Sequence, residues 1–144
     1  TPIRLLDMEV PRYMVALSLQ LVLAQRLVRV VCENCAEPHT PAPHEHEWLR
    51  YELGDTVDQR KYVHGKGCAN CGGTGYNGRT GVYEMLEMTN EIVEALNAED
   101  TGVFVQAARK QMAGETLRRD AVRLVVKGRT TIEEAMRISN QFED

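Results

Sequence analysis

The stretches Cys32-Glu33-Asn34-Cys35 and Gly67-Cys68-Ala69-Asn70-Cys71-Gly72-Gly73 contain all four cysteines of the chain. Each pair has Cys-x-x-Cys spacing, and a gap of two residues lets both sulfurs reach one ion through a tight turn. Two such turns that face each other complete a tetrahedral four-cysteine zinc site with no open position for a catalytic water. The pattern therefore predicts a structural zinc ion bound by Cys32, Cys35, Cys68 and Cys71.

Glycines support tight turns at the second pair, since seven of the 11 glycines lie between Gly65 and Gly81 and glycine permits left-handed backbone angles. Two disulfides in an exported protein, or a redox-active pair, are the alternatives to zinc. Two interpretations are open for the histidines near the cysteines: they are metal ligands, or they lie on a solvated loop. They are His39, His44, His46 and His64.

Composition limits the function classes. The 144 residues, 43% hydrophobic and 26% charged, indicate one globular domain or two small ones. A formal net charge of −4 argues against a duplex DNA binder. The most apolar stretch, residues 13–31, is interrupted by polar and basic side chains, so it is predicted to be core rather than a spanning helix or a signal peptide. The chain begins at Thr1-Pro2 without Met, and we expect it to be a piece of a longer protein.

The first half of the chain reads as the end of an α/β domain followed by the metal module. Pro11 suits the first turn of a helix that continues to Leu19, and β-branched residues predict a strand over 21–31. One long helix through the same stretch is the alternative. Three prolines between Pro38 and Pro43 predict an irregular loop. A short helix over 45–53, with Trp48 and Leu49 or Leu53 on its buried side, and a short strand over 61–64 complete this half.

The second half is predicted to be a strand over 79–88 and then helices. Val82 and Leu86 share one face of that strand. From Thr89 onward, apolar residues recur at helical spacing, and Gly128 has the position of a C-terminal cap. The stripes are Ile92, Val93 and Leu96; then Phe104, Ala107, Ala108 and Met112; then Leu117, Ala121, Leu124 and Val125. Thr131-Ile132-Glu133-Glu134 is a capping box that opens a last helix, with Ala135 and Ile138 inside.

No complete catalytic site is visible. The chain has no Gly-x-x-x-x-Gly-Lys-Ser/Thr phosphate loop, no Gly-x-Ser-x-Gly elbow and no His-Glu-x-x-His. Its acidic residues are spread over predicted helix surfaces and do not form an acid/base pair.

Several segments together resemble the C-terminal part of the secretion ATPases, the hexameric motors of type II secretion and type IV pilus assembly. The resemblance covers nearly the whole chain. It is carried by Leu23-Ala24-Gln25-Arg26-Leu27-Val28-Arg29, the two cysteine pairs, Gly75-Tyr76-Asn77-Gly78-Arg79-Thr80-Gly81-Val82-Tyr83-Glu84, Thr116-Leu117-Arg118-Arg119-Asp120-Ala121 and Gly128-Arg129-Thr130-Thr131-Ile132-Glu133-Glu134-Ala135.

This resemblance implies an α+β fold: the edge of a RecA-like α/β domain, an inserted tetracysteine zinc-binding subdomain and a C-terminal helical subdomain. The implied division is 1–31 as the end of the motor domain, 32–71 as the zinc insertion, 72–88 as the returning strand and 89–144 as the helical subdomain. One departure from the family pattern is Glu9, which stands after Asp7-Met8 where the family often has glycine.

The implied function is mechanical. The full-length parent would bind ATP and Mg²⁺ through motifs that lie before Thr1, so the chain alone is expected to be inactive. The implied partners are neighbouring subunits of a homo-hexamer and the platform protein of the bacterial inner membrane, at its cytoplasmic face; no nucleic acid is expected. Arg26 and Arg79 would serve either as structural ion-pair partners or as groups that approach nucleotide or a neighbouring subunit.

Two other function classes compete with the motor. Cys71-Gly72-Gly73-Thr74-Gly75 completes a Cys-x-x-Cys-x-Gly-x-Gly pattern that resembles the zinc module of DnaJ-type chaperones, which predicts a zinc-stabilised adaptor without motor function. The first pair lacks the following glycines. A zinc ribbon that binds nucleic acid would use Lys61, Lys66 and Arg79, but Glu33 and Glu37 offset that charge.

Overall fold

The chain contains both helices and strands, which confirms mixed α and β content. The computed structural model describes residues 2–112 and 114–140. The elements are α1 (Pro2–Asp7), α2 (Arg12–Ser18), β1 (Leu21–Val31), β2 (Ala36–His39), α3 (Pro43–Leu53), a 3-10 segment (Gly54–Gln59), β3 (Tyr62–Gly65), a 3-10 turn (Ala69–Cys71), β4 (Tyr76–Glu87), α4 (Asn90–Asn97), α5 (Thr101–Met112), α6 (Leu117–Val126) and α7 (Ile132–Asn140).

The apolar stretch over residues 13–31 is divided between α2 and β1. Across the described ranges, no helix combines the length and the hydrophobicity that crossing a bilayer requires.

Two small sheets form, one from β1 and β4 and one from β2 and β3. β1 has the predicted bounds, and β4 begins at Tyr76 rather than at the predicted residue 79. The prediction of an irregular loop around Pro38 is wrong, because Ala36–His39 pairs with β3 in an antiparallel register.

Pro38 fits this strand because of its place in the register. Lys66 N donates to Cys35 O at 3.0 Å, and hydrogen-bonded pairs alternate along an antiparallel ladder. Pro38 and Val63 therefore form a non-hydrogen-bonded pair, in which the missing N–H of proline costs no ladder bond. Pro38 also removes a donor from the outer edge of β2, which disfavours the addition of another strand there.

The chain divides into two compact units. The first unit comprises Thr1–Ala24 and Glu84–Thr116. Its core contains Val15, Ile92, Leu96 and Phe104, all less than a tenth exposed, and the helical stripes of the sequence supply most of these side chains. Arg12 Nη1 donates to the carbonyls of Leu96 and Ala98, both at 2.9 Å, and so satisfies carbonyl groups at the end of α4.

The second unit comprises Gln25–Tyr83 and Leu117–Asp144. Its apolar core is drawn from the strands, from α3 and from the last two helices. The fully buried side chains include Val28, Leu49, Val82, Val125, Ile132 and Ile138.

A buried carboxylate lies in this second core. Glu134 has no exposed surface, yet its two oxygens accept hydrogen bonds from the backbone and guanidinium of Arg29, both at 2.9 Å. Arg137 donates to both oxygens as well, at 3.1 and 3.0 Å. The predicted capping box is therefore half formed: Thr131 Oγ1 accepts from Glu134 N at 3.1 Å, while the Glu134 carboxylate is held by the two arginines.

Glu9 occupies a left-handed backbone position, with φ of 67°. Its N–H donates to Leu6 O at 3.0 Å and the N–H of Val10 donates to Leu5 O at 3.2 Å. These two bonds are the Schellman pattern, whose left-handed residue is usually glycine. The departure noted in the sequence thus falls at a residue with a backbone angle that favours glycine.

We expect Glu9→Gly to stabilise the chain by about 0.5–1 kcal/mol, because the relief of left-handed strain exceeds the extra flexibility of glycine in the unfolded chain. Urea titration of the two proteins measures the change. Glu9→Ala removes the same charge but keeps the strain, so it should give no gain; an equal gain from alanine would assign the effect to charge.

Glu134→Gln should destabilise the second unit by about 3 kcal/mol at neutral pH, because it breaks a buried ion-paired network. Burial opposes ionisation, but hydrogen bonds from Arg137 and Arg29 outweigh it and lower the pKa of Glu134 to about 2, against about 4.3 in an unfolded chain. This contribution is complete above pH of about 4.3 and is lost as the pH falls toward 2.

Thermal melts from pH 7 to pH 2 check both the size and the pH range of this effect. Glu133→Gln changes an exposed neighbour and should cost less than about 0.5 kcal/mol. A Glu134→Gln penalty that stays constant across the acid range would contradict the assignment.

Candidate metal centre

The four cysteine sulfurs lie together, although the two pairs are far apart in sequence. Cys32 Sγ is 3.8 Å from Cys68 Sγ, Cys35 Sγ is 3.9 Å from Cys71 Sγ, and Cys68 Sγ is 3.7 Å from Cys71 Sγ. All four sulfurs are within 4.8 Å of one another. A tetrahedron with Zn–S bonds of about 2.3 Å has sulfurs about 3.8 Å apart, so this donor set fits a tetrathiolate-bound zinc ion.

Strand β1 positions the first pair. Its last residue, Val31, leads into Cys32, which is fully buried and donates its N–H to Gly75 O at 2.9 Å. The turn closes with a bond from Cys35 N to Cys32 O at 3.3 Å, and Lys66 N donates to Cys35 O. These bonds join the first pair to the residues that flank the second pair on both sides.

The 3-10 turn Ala69–Cys71 positions the second pair. Gly73 N donates to Cys68 O at 2.8 Å, and Gly72 and Gly73 have φ of 66° and 82°. Those left-handed angles explain the glycines at these two positions.

Gly65 and Gly75 meet backbone to backbone beside the site. A Cβ added to Gly75 would lie 2.5 Å from Gly65 O, and one added to Gly65 would clash with Gly75 O. This close approach lets Gly75 contact both cysteine turns at once, through its carbonyl to Cys32 and its N–H to Cys71.

N–H groups point at three of the sulfurs. Cys71 Sγ accepts from Cys68 N at 3.3 Å and Gly75 N at 3.2 Å. Cys35 Sγ accepts from Gly67 N at 3.3 Å, and Asn70 Nδ2 is 3.9 Å from Cys32 Sγ. Such donors stabilise negative charge on sulfur and are the outer partners of a metal–thiolate site.

The thiol acidities differ between the cysteines. Backbone N–H groups of Cys68 and Gly75 lower the pKa of Cys71 to about 6, whereas burial raises the pKa of Cys35 to about 12. A bound cation would deprotonate the whole set, so metal uptake should release protons.

The histidines near the cysteines pair with carboxylates. His39 Nε2 is 3.0 Å from Glu45 Oε1, His46 Nε2 is 2.9 Å from Asp58 Oδ1 and His64 Nε2 is 2.7 Å from Glu37 Oε1. His44 is exposed. In the part of the chain that the structure describes, the four cysteines are the only group of three or more candidate ligands, so the histidine-ligand alternative gains no support.

Arg79 and Arg26, the two arginines singled out from the sequence, are both exposed. Arg79 lines a cavity of about 190 Å³ with Arg29 and Tyr76. Among residues 2–112 and 114–140, Arg79 has no carboxylate within ion-pair distance. Arg26 Nη1 donates to Gln25 O at 3.0 Å.

One contact between α3 and α6 had no sequence signal. The guanidinium of Arg118 lies 4.6 Å from the ring centre of Trp48 and 4.5 Å from that of Tyr51, and donates to Trp48 O at 2.8 Å. It fixes α3 of the metal module to α6. The two rings are 67 and 70 residues away from Arg118 in the sequence. A contact over such a separation produces no periodic pattern that a single sequence would show.

Comparisons with known proteins point to one family. Residues 1–137 match the family model described as type II/IV secretion system protein. The chain is 32% identical over 138 residues to type II secretion system protein E of Aeromonas hydrophila. It is 33% identical over 142 residues to type II secretion system ATPase E of Vibrio cholerae and 35% identical over 133 residues to type IV pilus assembly ATPase PilB of Thermus thermophilus.

These matches cover most of this chain but little of each relative. They span 96% of the chain and 27% of the relative for Aeromonas and Vibrio, and 92% and 15% for Thermus. The chain thus corresponds to about a quarter or less of the length of these relatives.

Metal analysis of the purified chain should give about one zinc ion per molecule, and Cys68→Ser should lose it, because three thiolates cannot complete the tetrahedron. Zinc sites of this kind contribute about 10–16 kcal/mol of apparent binding energy. Circular dichroism should therefore show an unfolded insertion with the C-terminal helices retained. Ala69→Ser, an exposed change in the same turn, should keep the metal; equal zinc content in both variants would overturn the ligand assignment.

Proposed function

Because the chain belongs to the family of type II/IV secretion system proteins, we propose that it is the C-terminal part of a motor ATPase that serves type II secretion or type IV pilus assembly. The observation that carries the proposal is the family match over residues 1–137, in a chain whose two distant cysteine pairs meet in one cluster. The printed names of the relatives include a pilus assembly ATPase and a secretion ATPase.

The proposed role of the metal centre is structural. Cys32, Cys35, Cys68 and Cys71 would hold Zn²⁺, which supplies folding energy to an insertion with few apolar side chains of its own. Four thiolate ligands leave no position for water or substrate, so the centre takes no part in bond chemistry. The bound metal would instead hold in place a surface formed by β2, β3 and α3.

ATP hydrolysis is proposed for the full-length parent, with ATP and Mg²⁺ bound by residues outside this chain. The chain has no glycine-rich phosphate loop with a following Lys-Ser/Thr. We therefore propose that it is inactive alone and contributes packing and subunit contacts to the motor. Arg79, which is exposed and lines a small cavity, is our candidate for a contact with nucleotide or with a neighbouring subunit.

The fold proposal follows the resemblance. Residues 1–31 and 72–88 would complete the edge of a RecA-like domain, residues 32–71 would be the zinc insertion and residues 89–144 the helical subdomain. Neighbouring subunits of a homo-hexamer and the inner-membrane platform protein are the proposed partners, at the cytoplasmic face of a bacterial inner membrane. No nucleic acid is proposed as a partner, which the net charge of −4 supports.

The adaptor alternative receives less support. A DnaJ-type module uses several glycine-flanked cysteine pairs, whereas here one of the two pairs is followed by Ala36-Glu37-Pro38. Strand β2 begins directly at Ala36, so the first pair leads into a sheet rather than a glycine turn.

A chimera tests the proposed function. This chain should replace the matching segment of the Vibrio cholerae secretion ATPase, and the chimera should retain zinc, ATP hydrolysis and secretion. Cys68→Ser in the chimera should lose all three, while Ala69→Ser should keep them. A chimera that folds and binds zinc but neither hydrolyses ATP nor supports secretion would contradict the proposal. For the chain alone, ATP turnover should not exceed that of a heat-treated control.

A further inference from the structure

One asparagine of the chain, Asn77, is followed directly by glycine. The residues that follow the six asparagines are, in order, Cys35, Cys71, Gly78, Glu91, Ala98 and Gln141. This difference matters because the backbone nitrogen after an asparagine can attack the side-chain amide carbon and close a five-membered ring. A Cβ on the following residue crowds that approach, and glycine has none. Ring closure is therefore least hindered at Asn77.

The structure leaves room for this reaction. Asn77 and Gly78 are both exposed, and a Cβ built on Gly78 would meet no heavy atom within 4 Å beyond its chain neighbours. Gly78 has φ of 86°, although it lies inside β4. A glycine with such an angle in a strand marks a local break in the regular pleat. The pair thus lies at an open and irregular point of the strand.

The residue just before this point is held in place. Tyr76 Oη is 2.8 Å from Thr131 Oγ1, and the guanidinium carbon of Arg29 lies 4.0 Å from the centre of the Tyr76 ring. Both partners belong to the same compact unit as Tyr76. Because Tyr76 is held, a change in backbone length after it displaces the residues that follow, which are Gly78 and Arg79.

We propose that Asn77-Gly78 is a self-modification site, at which Asn77 converts to isoaspartate in the folded protein and displaces Arg79. Gly78 N attacks Asn77 Cγ, a C–N bond forms, and the side-chain amide leaves as ammonia with the proton of Gly78 N. Water then opens the succinimide and restores that N–H. Opening at the backbone carbonyl of residue 77 gives isoaspartate, and opening at Cγ gives aspartate. One water is consumed, one ammonia is released and nothing is oxidised or reduced.

Isoaspartate changes β4 in two ways. Its backbone runs through the former side chain, so the strand gains one methylene group between Tyr76 and Gly78. It also places a free carboxylate directly before Gly78, which lines the small cavity with Arg29 and Arg79. Opposite charges attract at such short range. Arg79, which is exposed, is therefore shifted along the strand and drawn toward the new carboxylate.

Ageing of the zinc-loaded full chain in warm, mildly alkaline buffer tests the modification. Peptide mass spectrometry follows every asparagine, and labelling by protein isoaspartyl methyltransferase identifies isoaspartate. Asn77 should convert at least tenfold faster than Asn90 and Asn97, which are also exposed but precede residues with side chains. Asn77→Gln is the matched control and should not convert, because glutamine would have to close a larger ring. Circular dichroism and zinc content should show that the aged chain is still folded.

Two results would overturn the modification: equal conversion at the three asparagines, or conversion of Asn77 only after the chain has been unfolded in urea. Backbone amide NMR tests the displacement separately. The aged chain should show new signals for residues 78–81, whereas the signals of Arg29 and Thr131 should move little. Isoaspartate at residue 77 without a new Arg79 signal would overturn the displacement.

The chimera with the Vibrio cholerae ATPase supplies a functional readout, which rests on the proposed function. On ageing, its ATP hydrolysis should fall in proportion to the isoaspartate fraction, while the Asn77→Gln chimera should keep its activity. Equal losses in the two chimeras would contradict a functional effect of the modification. A chimera that is inactive before ageing contradicts the proposed function instead, and the mass and NMR measurements on the chain still decide the modification and the displacement.

Discussion

Convergence of four thiolates from two distant turns is the constraint on which the metal module depends. The sulfurs come within 3.7–3.9 Å of their nearest partners, a spacing at which unscreened thiolates repel and a dication between them attracts. Backbone N–H groups of Gly67, Cys68 and Gly75 donate hydrogen bonds to the sulfurs and stabilise the remaining negative charge. The β2–β3 pairing is joined to the same turns through Lys66, so the sheet and the site support each other.

The sequence was most informative where chemistry and local spacing coincide. Two Cys-x-x-Cys pairs were enough to predict that Cys32, Cys35, Cys68 and Cys71 meet. β-branched residues predicted β1, and apolar residues at helical spacing predicted the C-terminal helices. The glycine cluster predicted tight turns, but the role of Gly75 depends on Gly65, which lies ten residues away and approaches it backbone to backbone. That kind of contact depends on tertiary position and has no periodic signal.

The two predictions that failed, at Pro38 and at Glu134, share a physical cause. Pro38 indicated a loop because proline lacks an N–H, and only the register shows that this N–H was not needed. Glu134 was predicted to cap its own helix, but Arg29, 105 residues away in sequence, holds its carboxylate. In both cases a long-range partner decided the outcome of a local preference. The partner of Pro38 becomes visible only when β2 and β3 are paired, and the partner of Glu134 only when β1 and α7 are placed together.

The order of synthesis gives the split ligand set a further meaning. A ribosome delivers Cys32 and Cys35 well before Cys68 and Cys71, so the nascent chain first presents two thiols that cannot enclose an ion. The turn around Gly75, which donates to Cys71 and accepts from Cys32, emerges last. The site can therefore close only after the whole insertion has been translated, so a bound metal ion would mark a finished module.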